Sequence, residues 1–159
     1  MPHDENAEVW RPRVTVAAVV TQGGRFLMVE ESVRGRQCLN QPAGHLEPNE
    51  DLADAMVRET LEETGWTVRA THFVAMTPWV NPHHGDTTLR FTFAAEPVGH
   101  DPDRVLDTGI LRAVWMSREE IAAQSGRLRT PMVLTSIDAW LAGQRLPLHV
   151  IGRLGGPGG

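Results

Sequence analysis

Apolar and polar positions change period along the chain, and each change marks an element. Residues 13–21 and 25–31 are rich in β-branched and other apolar side chains, and Gln22-Gly23-Gly24 between them carries the residues of a tight turn. The two runs are expected to pair as a hairpin. A loop over residues 32–38 leads to residues 39–44, after which Pro48-Asn49 supplies a turn and a candidate N-cap. Beyond it the period becomes helical: Ala53, Val57, Thr60, Leu61 and Thr64 recur at i, i+3, i+4 and i+7, which places them on one face and Glu59, Glu62 and Glu63 on the opposite, exposed one. Glu50 and Asp51 suit a first helical turn, and Gly65 stands where a left-handed C′ glycine ends a helix. Strands are predicted over residues 66–80 with an internal break, 89–96 and 113–116. Ser117 then caps a short helix carrying Glu119 and Glu120, and Thr130-Pro131 opens a helix reaching Ala142 before Gly143. Strand and helix do not alternate regularly, so the pattern predicts an α/β fold with a mixed sheet and helices packed on it, not a doubly wound dinucleotide-binding sheet.

Composition narrows the function more than the fold. The 159 residues suffice for one domain with a real core. Residues 1–9 are expected to form a flexible polar tail, 10–152 the domain, and 153–159 a disordered glycine-rich tail. The net charge of −5 lacks the basic stripe that a nucleic-acid polymer requires. The fifteen basic residues are all arginine, which reads as compositional bias and carries no function. One cysteine, Cys38, has no partner for an internal disulfide and reads as core filler in a reducing compartment. No apolar run reaches the length of a membrane span, so a soluble, cytoplasmic protein is expected.

The chemistry concentrates in residues 44–66. Three and four residues apart on a helix, Glu59 faces both Glu62 and Glu63, and like charges so placed cost about 0.2–0.5 kcal/mol per pair. They also gather towards the C-terminal end of the helix, the poorer end for anions. A hard divalent cation explains the arrangement: Mg2+, with Mn2+ as the alternative, prefers carboxylate oxygens, keeps several waters and is completed by substrate phosphates. An acidic solvated helix face is the plain alternative.

The same stretch resembles the box of the Nudix family, Gly-x5-Glu-x7-Arg-Glu-U-x-Glu-Glu-x-Gly-U, where U is bulky and apolar. Gly44, Glu50, Arg58, Glu59, Glu62, Glu63 and Gly65 fall in register, and only the apolar positions at Thr60 and Trp66 depart. Similar segments outside the box, such as Asn40-Gln-Pro-Ala-Gly44, Leu89-Arg-Phe-Thr-Phe93 and Gly143-Gln-Arg-Leu-Pro-Leu148, extend the likeness over roughly residues 10 to 152. The resemblance implies an α/β/α sandwich with a central mixed sheet. It further implies a hydrolase of the family's phosphatase branch, which attacks phosphorus with water in nucleoside tri- and diphosphates or thiamine-pathway diphosphates. Glu59, Glu62, Glu63 and the Ala43 or Gly44 carbonyl would hold metal. Arg58 would pair with Glu50 and orient the acids, or simply pair with Glu62, and Glu62 or Glu63 would act as base. Asp107 is the one acid shortly before Trp115, with loop capping as its simpler role.

For substrate phosphates the leading candidate is Arg36, followed by Arg34 and Arg90; each alone could be an ordinary surface arginine. Trp79, with His83 and His84 in a loop punctuated by proline and glycine, could stack on a planar ring or be a core residue beside solvated histidines. Adjacent histidines without further ligands at suitable spacing argue against zinc there. The partner implied is a small diphosphate-containing molecule, and the chain a monomer or homodimer. Two rivals remain: cleavage of dinucleotides or of nucleotide-pool contaminants to release pyrophosphate or monophosphates, and a non-catalytic ligand-binding member of the same fold.

Overall fold

The computed structural model describes residues 8–155; positions 1–7 and 156–159 of the two expected tails lie outside the described residues. Seven strands and three α-helices follow in the order β1 (Arg13–Gln22), β2 (Arg25–Val33), β3 (Arg36–Asn40), β4 (Ala43–His45), α1 (Leu52–Thr64), β5 (Trp66–Val80), β6 (Thr87–His100), β7 (Ile110–Met116), α2 (Arg118–Ala123) and α3 (Met132–Leu141).

The hairpin expected from Gly23-Gly24 forms, but only beside the turn. Both glycines take positive φ, 58° and 74°, as such a turn requires. After the pairs Thr21↔Phe26 and Gln22↔Arg25 the two strands part. β1 then runs parallel to β6 and antiparallel to β4, while β2 lies between β3 and β7. The mixed sheet, in the order β3-β2-β1-β6-β5 with β4 on β1 and β7 on β2, is the architecture predicted.

Period two along β1 explains the layers. Val16, Ala18 and Val20 point to one core with Ala55 and Met56 of α1, whereas Val19 points to a second core with Ile121 of α2 and Val133 and Ile137 of α3. Leu27 of β2 joins the first core, Phe26 and Met28 the second. Each fully buried aliphatic or aromatic side chain contributes about 1.5–3 kcal/mol of transfer free energy. With helices on both faces, these strands need apolar residues at successive positions, and residues 16–20 are all buried.

Several boundaries differ from the sequence expectation. The segment read as a loop over 32–38 is largely a second hairpin: Arg34 (φ 50°) and Gly35 (φ 78°) make a two-residue turn, and Val33 pairs with Arg36. β5 is continuous, absorbing its irregularity in three register shifts, and tolerates Pro78 because it is an edge strand. α1 starts at Leu52 with Asp51 at the N-cap position, since Asn49 is held at φ 62° and the Glu50 carboxylate is engaged elsewhere. Arg153 pairs with Asp51 and Asp54, and the Leu154 N–H donates to Asp51, so the chain stays tied to α1 beyond residue 152. The short helix after Ser117 has its full capping box with Glu120, and α3 ends at Leu141 with Ala142 and Gly143 following.

Candidate active site

The box residues assemble where α1 crosses β4. Gly65 ends the helix in the left-handed region (φ 72°), its N–H bonded to the Leu61 carbonyl. The face that α1 buries is rotated from the one predicted: Ala55, Met56, Thr60, Glu63 and Thr64 are buried. Glu63 lies seven residues after Met56 and three after Thr60, hence on the same stripe. Thr60 is tolerated because its hydroxyl donates to the Met56 carbonyl, 2.8 Å away. The acids therefore do not stand on an open helix face. Glu63 is only 7% exposed, and the side chains of Glu59 and Glu62 are 12% and 31% exposed.

Arg58 organises this cluster. Its guanidinium donates to Glu50 (2.6 and 2.9 Å), Glu59 (2.9 Å), Glu62 (3.1 Å) and the His45 carbonyl (3.1 Å). Both pairings considered from sequence, with Glu50 and with Glu62, are made at once. The hydrogen bond from Arg58 holds the Glu50 carboxyl below its usual range, with burial opposing. Glu50 also accepts the Glu47 N–H, which draws it out of the helix and clamps the loop. Arg58→Ala is expected to lower the unfolding free energy by about 1–3 kcal/mol at neutral pH, by stranding acceptors that are largely shielded from water. A carboxyl depressed in the folded state stabilises above its unfolded value and loses that stabilisation as pH falls, so the gap between variant and wild type should narrow in acid. Urea denaturation at pH 7 and pH 4 checks this; equal stabilities at pH 7 would contradict it.

The donor set fits a divalent cation. One oxygen each of Glu59, Glu62 and Asp107 lie within 4.8 Å of one another. Asp107, on the loop before β7, is brought there by its own N–H, which donates to the Glu62 carbonyl at 3.1 Å. Glu63 stands apart from this trio, its carboxylate accepting the Ala43 N–H at 3.2 Å. Burial foremost, and then the neighbouring acids Glu59, Glu31 and Asp107, push the Glu63 carboxyl up to about 9 despite that bond. Burial likewise raises Glu59, with Arg58 opposing. Carboxyls this reluctant to ionise are what an additional positive charge would relieve. Gly44 supplies the room: a Cβ there would fall inside the Glu59 carboxylate.

A cleft of about 480 Å³ opens beside these groups, lined among others by Gly44, Glu59, Glu63, Glu31, Asn40 and Arg90. Arg90 of β6 is not a surface arginine: it is 5% exposed, and it donates to Gln41 Oε1 at 2.9 Å. Ser136 of α3 donates to the same oxygen at 3.0 Å. Burial brings Arg90 down to about 10, with Glu63 and Glu31 opposing, so it remains a cation at neutral pH. Trp79 lines the cleft as well, together with His84, whose Nδ1 lies 3.2 Å from Asp86. Arg36 lies outside the acid-lined part; it donates to the Gly126 carbonyl at 2.8 Å and borders an adjoining cavity with Arg34 and His83. The sequence assigned no site role to Glu31, Asn40, Gln41, Arg129 or Thr130; the β2–β3 pairing places Glu31 and Asn40, the Arg129 N–H donates to the Leu39 carbonyl, and Gln41 is met by Arg90. A polar Asn-Gln pair between apolar Leu39 and Pro42 was the local signal.

Known proteins match this arrangement. The NUDIX domain family model matches residues 11–134. Phosphatase NudJ of Escherichia coli strain K12 is 44% identical over 151 residues, covering 94% of this chain and 96% of its own. A solved NUDIX hydrolase from Nitrosomonas europaea superposes with a TM-score of 0.89 at 47% identity, covering 91% of this chain and 98% of its own. A UDP-X diphosphatase structure, at 14% identity and a TM-score of 0.69, shares the fold. The family model, the relative and the superposed fold agree, and the chain belongs to the Nudix hydrolase family.

Proposed function

We propose that this Nudix hydrolase is a Mg2+-dependent phosphatase, with Mn2+ able to substitute, that releases orthophosphate from nucleoside tri- and diphosphates or thiamine-pathway diphosphates. The observation that carries the reading is the convergence of Glu59, Glu62 and Asp107 beside the buried Glu63, under the opening left by Gly44. Similarity to a protein named phosphatase supports orthophosphate as the product. Glu59, Glu62, Glu63 and the Gly44 backbone would hold the cation, with Asp107 as a further donor. When bound, it would supply charge neutralisation for the phosphate oxygens and for the leaving oxygen.

The chain's own residues do the rest. Arg58 and Glu50 keep the acids in position. Glu62, more exposed than Glu59 or Glu63, is the better placed to accept a proton from the attacking water. Arg90 gives the cleft floor a fixed positive charge, Trp79 offers a flat face to an organic ring, and Arg36 meets phosphate at the rim. Among the described residues no helix is long and apolar enough to cross a membrane.

Early time points with a nucleoside triphosphate should give the diphosphate and orthophosphate first, with monophosphate appearing later and no turnover without divalent cation. Chromatography of the products checks this. Pyrophosphate accumulating with monophosphate from the start would favour the pyrophosphohydrolase reading instead.

A further inference from the structure

Beyond Trp79 the cleft continues into a second cavity of about 560 Å³, and the charge changes sign across the join. Trp79, Asn81, His84, Arg129 and Thr130 line both cavities. In the first, the carboxylates of Glu31, Glu59 and Glu63 stand beside Arg90 and the shared Arg129; the annex has Arg34, Arg36 and Arg129 on its walls and no carboxylate. In a chain of net charge −5, a concavity lined by three guanidiniums and no carboxylate is a local reversal.

Each is placed by the fold. The two-residue turn at Arg34-Gly35 sets Arg34 and Arg36 at the tip of the β2–β3 hairpin. Arg34 has no ion pair among the described residues, and the one hydrogen bond from the Arg36 guanidinium goes to the Gly126 carbonyl. Arg129 reaches Glu31 only at 3.7 Å and is tied by its N–H to the Leu39 carbonyl. Thr130 lies on the wall shared by the two cavities; it is 9% exposed, and its Oγ1 has no hydrogen-bond partner among the described residues. Thr130 and Pro131 also lead into the ten-residue α3, whose N-terminus adds partial positive charge to the same wall.

We propose that the annex is an anion subsite for the leaving half of the substrate, selecting molecules that carry a second phosphate on the leaving side of the scissile bond. This rests on the hydrolase reading above and narrows its substrate class. In the reaction so selected, water adds oxygen to the terminal phosphorus and the bridging P–O bond breaks. Its electron pair stays with the leaving group, and the water's proton is released. A nucleoside triphosphate leaves as a diphosphate and fills the annex with its second phosphate. A nucleoside diphosphate carrying a 3′-phosphate does the same from the ribose. Thiamine diphosphate leaves with one phosphate and a cationic thiazolium, which three arginines repel.

The test compares kcat/KM for four substrates, namely a nucleoside triphosphate, its diphosphate, the 3′-phosphorylated diphosphate and thiamine diphosphate, in wild type and in Arg34→Glu. Arg34 is exposed at a hairpin tip, so the variant is expected to fold, as equal melting temperatures would show. The wild type should prefer one or both substrates with two leaving-side phosphates over thiamine diphosphate. Arg34→Glu should cut that preference about ten-fold, mainly through KM. The substrate that loses most tells a chain phosphate from a ribose phosphate. In parallel, inorganic tripolyphosphate should raise the melting temperature of the wild type without metal, and less so that of the variant. An unchanged preference and an unchanged tripolyphosphate shift in folded Arg34→Glu would overturn the subsite while leaving the hydrolase intact. Absence of turnover with all four substrates would instead remove the proposed phosphatase activity, and the tripolyphosphate shift would still decide the subsite.

Discussion

Glu63→Gln is expected to lower kcat/KM by at least about 100-fold while leaving the fold intact. Removing a group that merely supports a metal ligand costs about 10- to 100-fold, and Glu63 is proposed as a ligand itself. The amide keeps the shape, and its oxygen can still accept the Ala43 N–H. Stability should move the other way. A carboxyl raised to about 9 in the fold from about 4.5 costs the folded state nothing below the lower value. The cost grows as pH rises between the two, because the folded state keeps a proton the unfolded chain has released. Metal-free wild type should therefore lose stability relative to Glu63→Gln from about pH 4.5 towards 9. Glu30, held down to about 2 by hydrogen bonds from Arg112 and Arg127, acts in a separate window at lower pH. Thermal melts of both proteins in chelator across this range, beside initial rates at saturating Mg2+, test the two halves. Near-normal turnover, or parallel melting curves, would remove Glu63 from its role.

Gly44→Ala should lose activity on a similar scale by a different route. The added methyl occupies the space of the Glu59 carboxylate, which must swing out of the cleft. The φ of Gly44 is not positive, so alanine is free of backbone strain, and the displaced group is the end of a flexible side chain. A stability change of no more than about 1–3 kcal/mol is expected, with a rate loss of about 100-fold from misplacement. A crystal structure of the variant would show whether Glu59 has moved. Full activity with Glu59 in place would mean that the opening has no function.

What the sequence disclosed depended on how local the signal was. The cap at Ser117, the C′ glycine at Gly65 and the Gly23-Gly24 turn are set by their immediate neighbours, and all three were legible. The start of α1 was not, because Pro48-Asn49 offers a good local cap that loses to the hold Arg58 has on Glu50. The β2–β3 hairpin was hidden by an arginine at a turn position usually taken by asparagine or glycine. The spacing of the three glutamates showed that they share one helix, but which of them is buried follows from how α1 rotates against the sheet. Asp107 joins Glu59 and Glu62 through a loop contact with no sequence period. Arg90 illustrates the same limit: its place on a strand was evident, but its burial with Gln41 and Ser136 exists only once β6, the segment before β4 and α3 meet.

The central claim is that the acids of α1 form a divalent-cation site that the hydrolysis requires. Titrating Mn2+ into the metal-free protein, with bound ion read by electron paramagnetic resonance, tests it most directly in wild type, Glu63→Gln and Gly44→Ala. Saturable binding in the wild type, weakened at least about ten-fold in both variants and competed by Mg2+, is the predicted result. Equal Mn2+ affinity in all three well-folded proteins would contradict the account.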